Sequence, residues 1–425
     1  MLDIKFIREN SDIIKSAALK KHLSFNVDEL ISVDSKRLLI LKTVEELRAK
    51  QNTASNAIQS ANESDRTALI ESMRVVKEEL KVKEEELEET MKVWRTLMLS
   101  VPNIPDMSVP EGKSDADNVE VKTWGTIPTF SFEPLDHVTL MEAQDMADFE
   151  RGAKVAGFRG YFLKGDGALL EFAVWQLALK HFLSKGHTPI HVPSLVRKET
   201  LIGTGYLPGG EDDLYKTQDN EYLAGTGEVA TMGYYMDEVV NLSKGPLQFL
   251  AFSPCFRREA GAHGKDVKGL IRVHEFFKWE QVILCEASHE ESVKWHEIIN
   301  QNTEEFIELL NIPYHTVVNC GGDLGQGQVK KYDVELWVPG ENKYREISSA
   351  SYFHDFQTRR VNIRYKDTEG KLQYAHSLNS TAIPTPRILV SIIENYQQAD
   401  GTIKVPEALI PYMNGKTVLG NPFRT

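Results

Sequence analysis

The residues with the clearest chemical reach lie between positions 248 and 280. Gln248–Arg257 reads as an apolar strand that delivers Arg257, Arg258 and Glu259 to its end. A polar, Gly-rich loop follows from Ala260 to Gly269, long enough to act as a lid over a ligand. From Leu270 a second strand alternates strictly. Ile271, Val273, Glu275, Phe277, Trp279 and Gln281 share one face; Arg272, His274, Phe276, Lys278 and Glu280 share the other. An isolated strand of this kind is ordinarily just half-solvated. Here the polar face carries an aromatic ring between charges, and the neighbouring strand brings Arg257 and Glu259 to the same end. At ~3.3 Å per residue, Phe276 and Glu280 stand about 13 Å apart. That span suits a purine at one end and an aminoacyl group at the other. The ring at 276 can stack on a base, the carboxylate at 280 can accept from an ammonium or hydroxyl, and the fork of Arg257 can clamp a phosphate.

Other tempting spacings fail. Gly112-Lys113-Ser114 has the end of a phosphate-binding loop, but the first glycine it requires falls on Met107. Gly322-Asp323-Leu324-Gly325-Gln326-Gly327 lacks the order of a nucleotide loop and reads as a turn. His187 and His191 are four apart, yet Pro189 lies between them and Thr188–Val192 reads as a strand, so they make no helical metal pair. Cys255, Cys285 and Cys320 form no CxxC, which argues against a disulfide framework or zinc knuckle and fits a reducing cytoplasm.

The elements that must position these residues belong to a chain of 425 residues, enough for two or three domains. With 49 Lys+Arg against 62 Asp+Glu the net charge is −13. That charge argues against non-specific coating of nucleic acid and, taken alone, favours a metabolic enzyme. No apolar run approaches the length of a membrane span. Met1–Asn10 mixes charged with apolar residues and reads as neither a signal nor a transit peptide.

Residues 27–100 have a different texture. Val33, Arg37, Ile40, Val44, Leu47, Gln51, Ala54, Ile58 and Ala61 form a mostly apolar heptad seam, and Leu69, Met73, Val76, Leu80, Lys83, Leu87, Thr90, Trp94 and Leu97 form a second. The tip between them is Asn62-Glu63-Ser64-Asp65-Arg66, and Pro102 and Pro105 close the segment. The pattern predicts a long antiparallel helical hairpin, a coiled-coil arm whose simplest role is a spacer or dimerisation rod. Residues 1–100 carry 17 Lys+Arg and 18 Asp+Glu, a balance of −1, which leaves −12 (32 against 44) on the rest. That balance does not decide the arm's role: a near-neutral arm could present a basic stripe, but the sequence does not show one clearly.

Phe256-Arg257-Arg258-Glu259, the loop, and Arg272…Glu280 together resemble motif 2 of the class II aminoacyl-tRNA synthetases. Ser253–Gly261 followed by Gly269-Leu270-Ile271-Arg272-Val273-His274 is similar to the seryl-tRNA synthetases of the bacterial type. The likeness extends over nearly the whole chain, through the arm, Phe149–Val155, Tyr344-Arg345-Glu346-Ile347-Ser348-Ser349, Glu394–Gly401 and Pro411–Gly415. It implies an α+β fold: an N-terminal antiparallel helical-hairpin arm over 1–107 that binds tRNA, and a class II catalytic domain over 108–425 built on an antiparallel sheet flanked by helices. It also implies a cytoplasmic homodimer with no membrane association. Its substrates are L-serine, ATP and tRNA(Ser), with Mg²⁺ beside the phosphates. The family commonly charges the selenocysteine tRNA as well, which the sequence leaves open.

The resemblance further implies roles residue by residue. Arg257, Glu346 and Arg387 are the catalytic residues. Thr226, Gly227, Glu228, Arg257, Glu280, Asn379 and Thr381 bind serine, with Glu228 and Glu280 on its ammonium and hydroxyl. ATP meets Arg257, Arg258, Glu259, Val273, Phe276, Glu346, Ile347, Ser348, Ser349 and Arg387, the adenine lying between Phe276 and Arg387. Glu346 and Ser349 hold Mg²⁺. The helix from about Ala168 to Lys185 and the strand ending at Pro193 build the dimer interface. Two departures stand out. Leu378–Arg387 lacks the family's glycines, with Thr381 for the usual serine; Thr385 is expected to cap, and Pro386 to open, the helix carrying Arg387. Gly227 replaces the commoner alanine, with little expected effect. The rival readings are a synthetase-like ligase loading a non-tRNA acceptor, which would lack the arm, and a non-catalytic interaction protein, which would have lost Arg257, Glu280, Glu346 or Arg387.

Overall fold

The computed structural model describes every residue except Ala61, Ala262, His263, Lys265, Val267, Arg424 and Thr425. The last position of the first heptad seam and much of the expected lid, Ala260–Gly269, therefore lie outside the described residues. The chain divides into two compact units: Met1–Leu19 with Leu23–Pro102, and Lys20–His22 with Asn103–Thr425.

The first unit is helical. Two short helices that the heptad pattern did not announce, α1 (Ile4–Glu9) and α2 (Ser11–Lys20), precede the long α3 (Val27–Ser60) and α4 (Glu63–Ser100). Asn26 caps α3, its Oδ1 accepting from the amides of Asp28 and Glu29 at 3.1 and 3.2 Å. The long helices are antiparallel. Asp34 meets Trp94 near one end and Arg48 meets Glu84 further along, so advance on one helix is retreat on the other. Ile40, Val44, Leu47 and Leu80 are buried along the predicted seam, with Val76 and Leu87 packed on them. At the lower end the register differs: Val33 is half-exposed, and Asp34 takes the buried place. Arg37, the polar break in the seam, explains this. It donates two bonds to Asp34 Oδ1 at 3.0 and 2.8 Å while Arg8 binds Oδ2 at 2.8 Å. The Trp94 indole adds a third donor to Oδ1 at 2.9 Å, and the Arg37 guanidinium lies 4.8 Å from its ring. A buried carboxylate is tolerated because it is fully paired.

The second unit is built on a sheet of eight strands among the described residues. In chain order they are β1 (Val119–Trp124), β2 (Thr188–His191), β3 (Leu247–Phe256), β4 (Glu275–Cys285), β5 (Tyr314–Val318), β6 (Lys330–Val338), β7 (Lys343–His354) and β8 (His376–Thr385). Their spatial order is β1-β5-β6-β7-β8-β4-β3-β2. All neighbours are antiparallel except β2 and β3, which run parallel at one edge. The helix α5 (Asp166–Ser184) buries Leu170, Ala173, Val174 and Leu177 in the main core. The helix α8 (Arg387–Asn395) adds Ile388, Leu389, Ile392 and Ile393. On the opposite face a second apolar cluster takes Val282 and Leu284 of β4 with Val361, Ile363 and Tyr365, and the stretch from Phe276 to Glu280 is left to carry polar groups.

Two expectations are corrected. β4 begins at Glu275, not Leu270. Gly269 has φ +81°, the amide of Leu270 donates to His137 Nε2 at 3.1 Å, and the carbonyl of Ile271 accepts from Arg387 Nε at 3.0 Å. Those backbone groups serve the helices around the sheet instead of a strand ladder. The second correction concerns Thr385, which caps nothing. Its hydroxyl accepts from Trp175 Nε1 at 2.8 Å, Pro386 occupies the N-cap position, and α8 starts at Arg387. The glycine-rich run at 322–327 is a turn as expected, and the buried Lys21 donates to the carbonyls of Gly325, Gln326 and Gln328 at 3.0, 2.9 and 2.5 Å.

Candidate active site

Phe276, Lys278 and Glu280 alternate along β4 onto one face, because the β3–β4 register is unbroken. The neighbouring strands reach the same face only through bulges. On β8, Glu280 pairs with Thr381 and Trp279 with Ile383, so Ala382 is extra. That bulge turns both Thr381 and Pro384 toward the site, although residues three apart on a regular strand point opposite ways. On β7, Ser348 pairs with Val334 and Glu346 with Glu335, leaving Ile347 extra. This second bulge puts Glu346 and Ser349 on one face, and Asp333, opposite Ser349, joins them.

The result is an open cleft whose lining includes Arg257, Glu259, Val273, Phe276, Glu346 and Arg387, with Lys278 and Thr381 at its inner end. The Arg257 guanidinium lies 5.2 Å from the Phe276 ring centre and donates to the Gly225 carbonyl at 3.3 Å. Glu259 sits in the left-handed region (φ +54°) and accepts from Arg272 at 2.9 Å. Arg387 projects from the start of α8, held by the carbonyls of Ile271 and Glu346, each at 3.0 Å. Burial pulls Arg387 below the usual guanidinium range, with the Glu346 charge opposing it.

Beyond the inner end lies a buried cluster of two carboxylates. Thr226 caps the helix α6 (Gly227–Gly233) and donates its hydroxyl to Glu280. Glu280 Oε1 accepts from Asn379 Nδ2 at 2.9 Å, and Oε2 receives Lys278 Nζ at 2.7 Å. Lys278 Nζ also donates to Thr226 Oγ1 at 2.9 Å. Glu228 accepts from Gln357 Nε2 at 2.6 Å and from the Tyr206 hydroxyl at 3.1 Å, and Gln357 is itself fixed by Ser377 at 2.7 Å. The two acids titrate apart. Burial pushes Glu280 upward, but Lys278, Thr226 and Asn379 more than offset it and hold it below the usual range. Burial and the charge of Glu280 push Glu228 up to about 7, against Gln357, Lys278 and Tyr206.

Most of the residues singled out from the sequence meet in these two places, but Arg258, Ser348 and Gly227 do not. Arg258 is exposed and donates to the Asp212 carbonyl at 3.1 Å. Ser348 points through the sheet, its hydroxyl donating to the Thr381 carbonyl at 2.5 Å. Gly227 faces β3, where a Cβ would stand 3.3 Å from Ala251 Cβ and Ser253 Oγ. It faces away from the carboxylates, as expected, but tightly packed. Asp333, Gln357 and Tyr206 had no signal of their own. Lys278 had one: alternation with Glu280.

Oxygen groups that could hold a divalent cation stand on this face, although Lys331 Nζ already pairs with Asp333 Oδ2 at 3.2 Å. Asp333 is fully buried, and its Oδ1 has no hydrogen-bond partner among the described residues. It shares a face with Glu346 and Ser349, an all-oxygen set of the kind hard cations take.

Two family models match the chain: the seryl-tRNA synthetase N-terminal domain over residues 1–105, and the class II tRNA synthetase core domain (G, H, P, S and T) over 213–396. The serine–tRNA ligase of Deinococcus radiodurans is 47% identical over 425 residues, all of both chains. That of Acidithiobacillus ferrooxidans is 41% identical over 99% of this chain and 100% of its own. Among solved structures, the seryl-tRNA synthetase from Pyrococcus horikoshii complexed with ATP superposes with a TM-score of 0.90 at 37% identity, covering 100% of both chains. The cytoplasmic serine–tRNA ligase from Naegleria fowleri in complex with AMP gives 0.86 at 30% identity over 99% of both.

Proposed function

The chain belongs to the seryl-tRNA synthetase family and is an ATP-dependent serine–tRNA ligase, and we propose that the cleft and the carboxylate cluster behind it are where it makes seryl-adenylate. The carrying observation is the shared face of Phe276, Lys278 and Glu280. It sets a stacking ring, a cation and a carboxylate in the order in which a base, a phosphate–carboxylate junction and an amino-acid head group must lie. The serine carboxylate attacks the α-phosphorus of ATP, pyrophosphate leaves, and the seryl group passes to a hydroxyl of the 3′-terminal adenosine of tRNA. In the first step Arg257 and Arg387 bind and orient the phosphates, and the adenine lies between Phe276 and Arg387. Glu280, Thr226, Asn379 and Glu228 take the serine ammonium and hydroxyl. A buried site that bonds the hydroxyl rejects alanine strongly, since alanine leaves those groups unpaired. Glu346 and Ser349, with Asp333 beside them, are the residues that would hold Mg²⁺, which when bound supplies charge neutralisation at the phosphates.

Three further assignments are part of this reading. The helical hairpin of the first unit meets the tRNA by shape and a few placed cations. The enzyme is a homodimer through the α5 face, where Leu169 and Phe172 are exposed. It works in the cytoplasm; among the described residues no helix is long and apolar enough to cross a membrane. The test of the site is Glu280→Ala in serine-dependent ATP–pyrophosphate exchange. Loss of exchange with a folded protein is expected, and near-normal exchange would sink the assignment.

A further inference from the structure

Lys278 makes none of the substrate contacts assigned above, yet it is among the most constrained side chains in the site. Its side chain is only 5% exposed, on β4 midway between Phe276 and Glu280. Its ammonium makes two bonds in the cluster, to Glu280 Oε2 at 2.7 Å and to Thr226 Oγ1 at 2.9 Å. Those are the acceptors the proposed reading gives to the ammonium of serine. A lysine Nζ and an amino-acid nitrogen are the same chemical group, a three-donor primary ammonium. Two such cations crowded onto one carboxylate oxygen and one hydroxyl would repel each other at close range.

We propose that Lys278 is a displaceable stand-in for the substrate ammonium: it fills that seat in the empty enzyme and, when serine enters, transfers to the serine carboxylate beside the α-phosphate. This rests on the serine-site reading above. Two physical facts support the exchange. Serine is a zwitterion, so its ammonium replaces Lys278 at Glu280 while its carboxylate receives the displaced Lys278. Every charge stays paired at each stage, as a buried site requires. The geometry also allows it. Lys278 lines the cleft that holds Arg257 and Arg387, and its Cα lies about 6.6 Å along the strand from those of Phe276 and Glu280. A four-carbon stem can swing its nitrogen from the carboxylate cluster to the cleft without moving the backbone. The device would also spare the empty enzyme an uncompensated buried carboxylate.

The test uses serinol, 2-aminopropane-1,3-diol, which carries the ammonium and hydroxyl of serine but no carboxylate. In Lys278→Met the seat is vacated, so serinol should bind at least tenfold more tightly than to the wild type by calorimetry. Serine-dependent pyrophosphate exchange should meanwhile lose at least tenfold in kcat, because the carboxylate has lost its cation. A lysine with a merely structural role would weaken both. Unchanged or weaker serinol binding, or an unchanged kcat, overturns the proposal. Glu280→Gln run alongside separates the two failures. If it leaves serine binding intact, the serine-site reading is wrong; if it abolishes binding while K278M fails to tighten serinol, only the exchange is wrong. Because K278M leaves a buried carboxylate unpaired and can unfold, the wild-type enzyme answers the same question. Saturating serine should change the acetylation rate of Lys278, read by mass spectrometry, at least threefold, and no change overturns the exchange.

Discussion

Gln357 touches no proposed substrate group, yet Gln357→Ala should damage serine use through Glu228. The amide donates to Glu228 Oε1 at 2.6 Å in a site where Gln357 is 1% and Glu228 2% exposed. A hydrogen bond to a charged group contributes ~1.5–3 kcal/mol, which corresponds to roughly 10- to 150-fold in an equilibrium constant. The loss should fall on KM for serine and leave KM for ATP within about twofold, since Gln357 lies outside the cleft lining. The pH dependence gives a second, independent readout. Glu228 is already pushed up to about 7, and Gln357 is one of the groups pulling it down. A donor to the carboxylate stabilises the ionised form, so its removal raises the folded-state value further. In the wild type, KM for serine should therefore rise as pH falls below about 7, where Glu228 is protonated; in Gln357→Ala the same rise should begin at higher pH. Serine-dependent ATP–pyrophosphate exchange between pH 6 and 9 measures both effects. A variant with normal melting temperature, unchanged serine KM and an unmoved pH limb would refute the idea that Glu228 is tuned through this amide.

Three further outcomes are expected. Thr381→Ser removes a methyl from the wall opposite Glu280 and should raise threonine-dependent exchange by roughly 10-fold or more, the value of one methyl in a pocket, while serine exchange is kept. Lys21→Met strands the three carbonyls that now accept from one ammonium and should lower stability by about 3 kcal/mol or more, seen as a drop in the denaturation midpoint. Burial alone would draw Lys21 to about 7, but three acceptors matched to three N–H donors argue that it stays charged. Shortening the hairpin by an equal number of heptads from α3 and α4 should leave pyrophosphate exchange intact and cut aminoacylation of tRNA(Ser) at least tenfold; equal charging by the shortened enzyme would remove the hairpin from tRNA recognition.

Net charge was a poor guide to partners. A balance of −13 argues only against indiscriminate binding of nucleic acid, whereas the family shown by the full-length relatives acts on tRNA. The heptads were a better guide, because a 3.5-residue repeat has few other structural uses. Even so, the hydrophobic pattern misplaced one layer. Asp34 is buried where Val33 was expected because Arg8, Arg37 and Trp94 converge on it, and no window of neighbouring residues contains all four.

The sequence alone determined that Phe276, Lys278 and Glu280 share a face, since a strand's period of two is a local property of the backbone. It also carried the antiparallel hairpin and, to within a residue, the strand that ends at Phe256 and presents Arg257. Tertiary structure decided what joins that face. Glu346 and Ser349 are three apart, as are Thr381 and Pro384, and period two places each pair on opposite sides. Only the bulges, created by how β7 and β8 pair with their neighbours, bring each pair to one side. It also decided the charge states. Glu228 and Glu280 are the same residue type and burial pushes both up; the charge of Glu280 adds to that push at Glu228, while Lys278, Thr226 and Asn379 reverse it at Glu280. Period is written in neighbouring residues; pairing, burial and the partners of a buried charge are not.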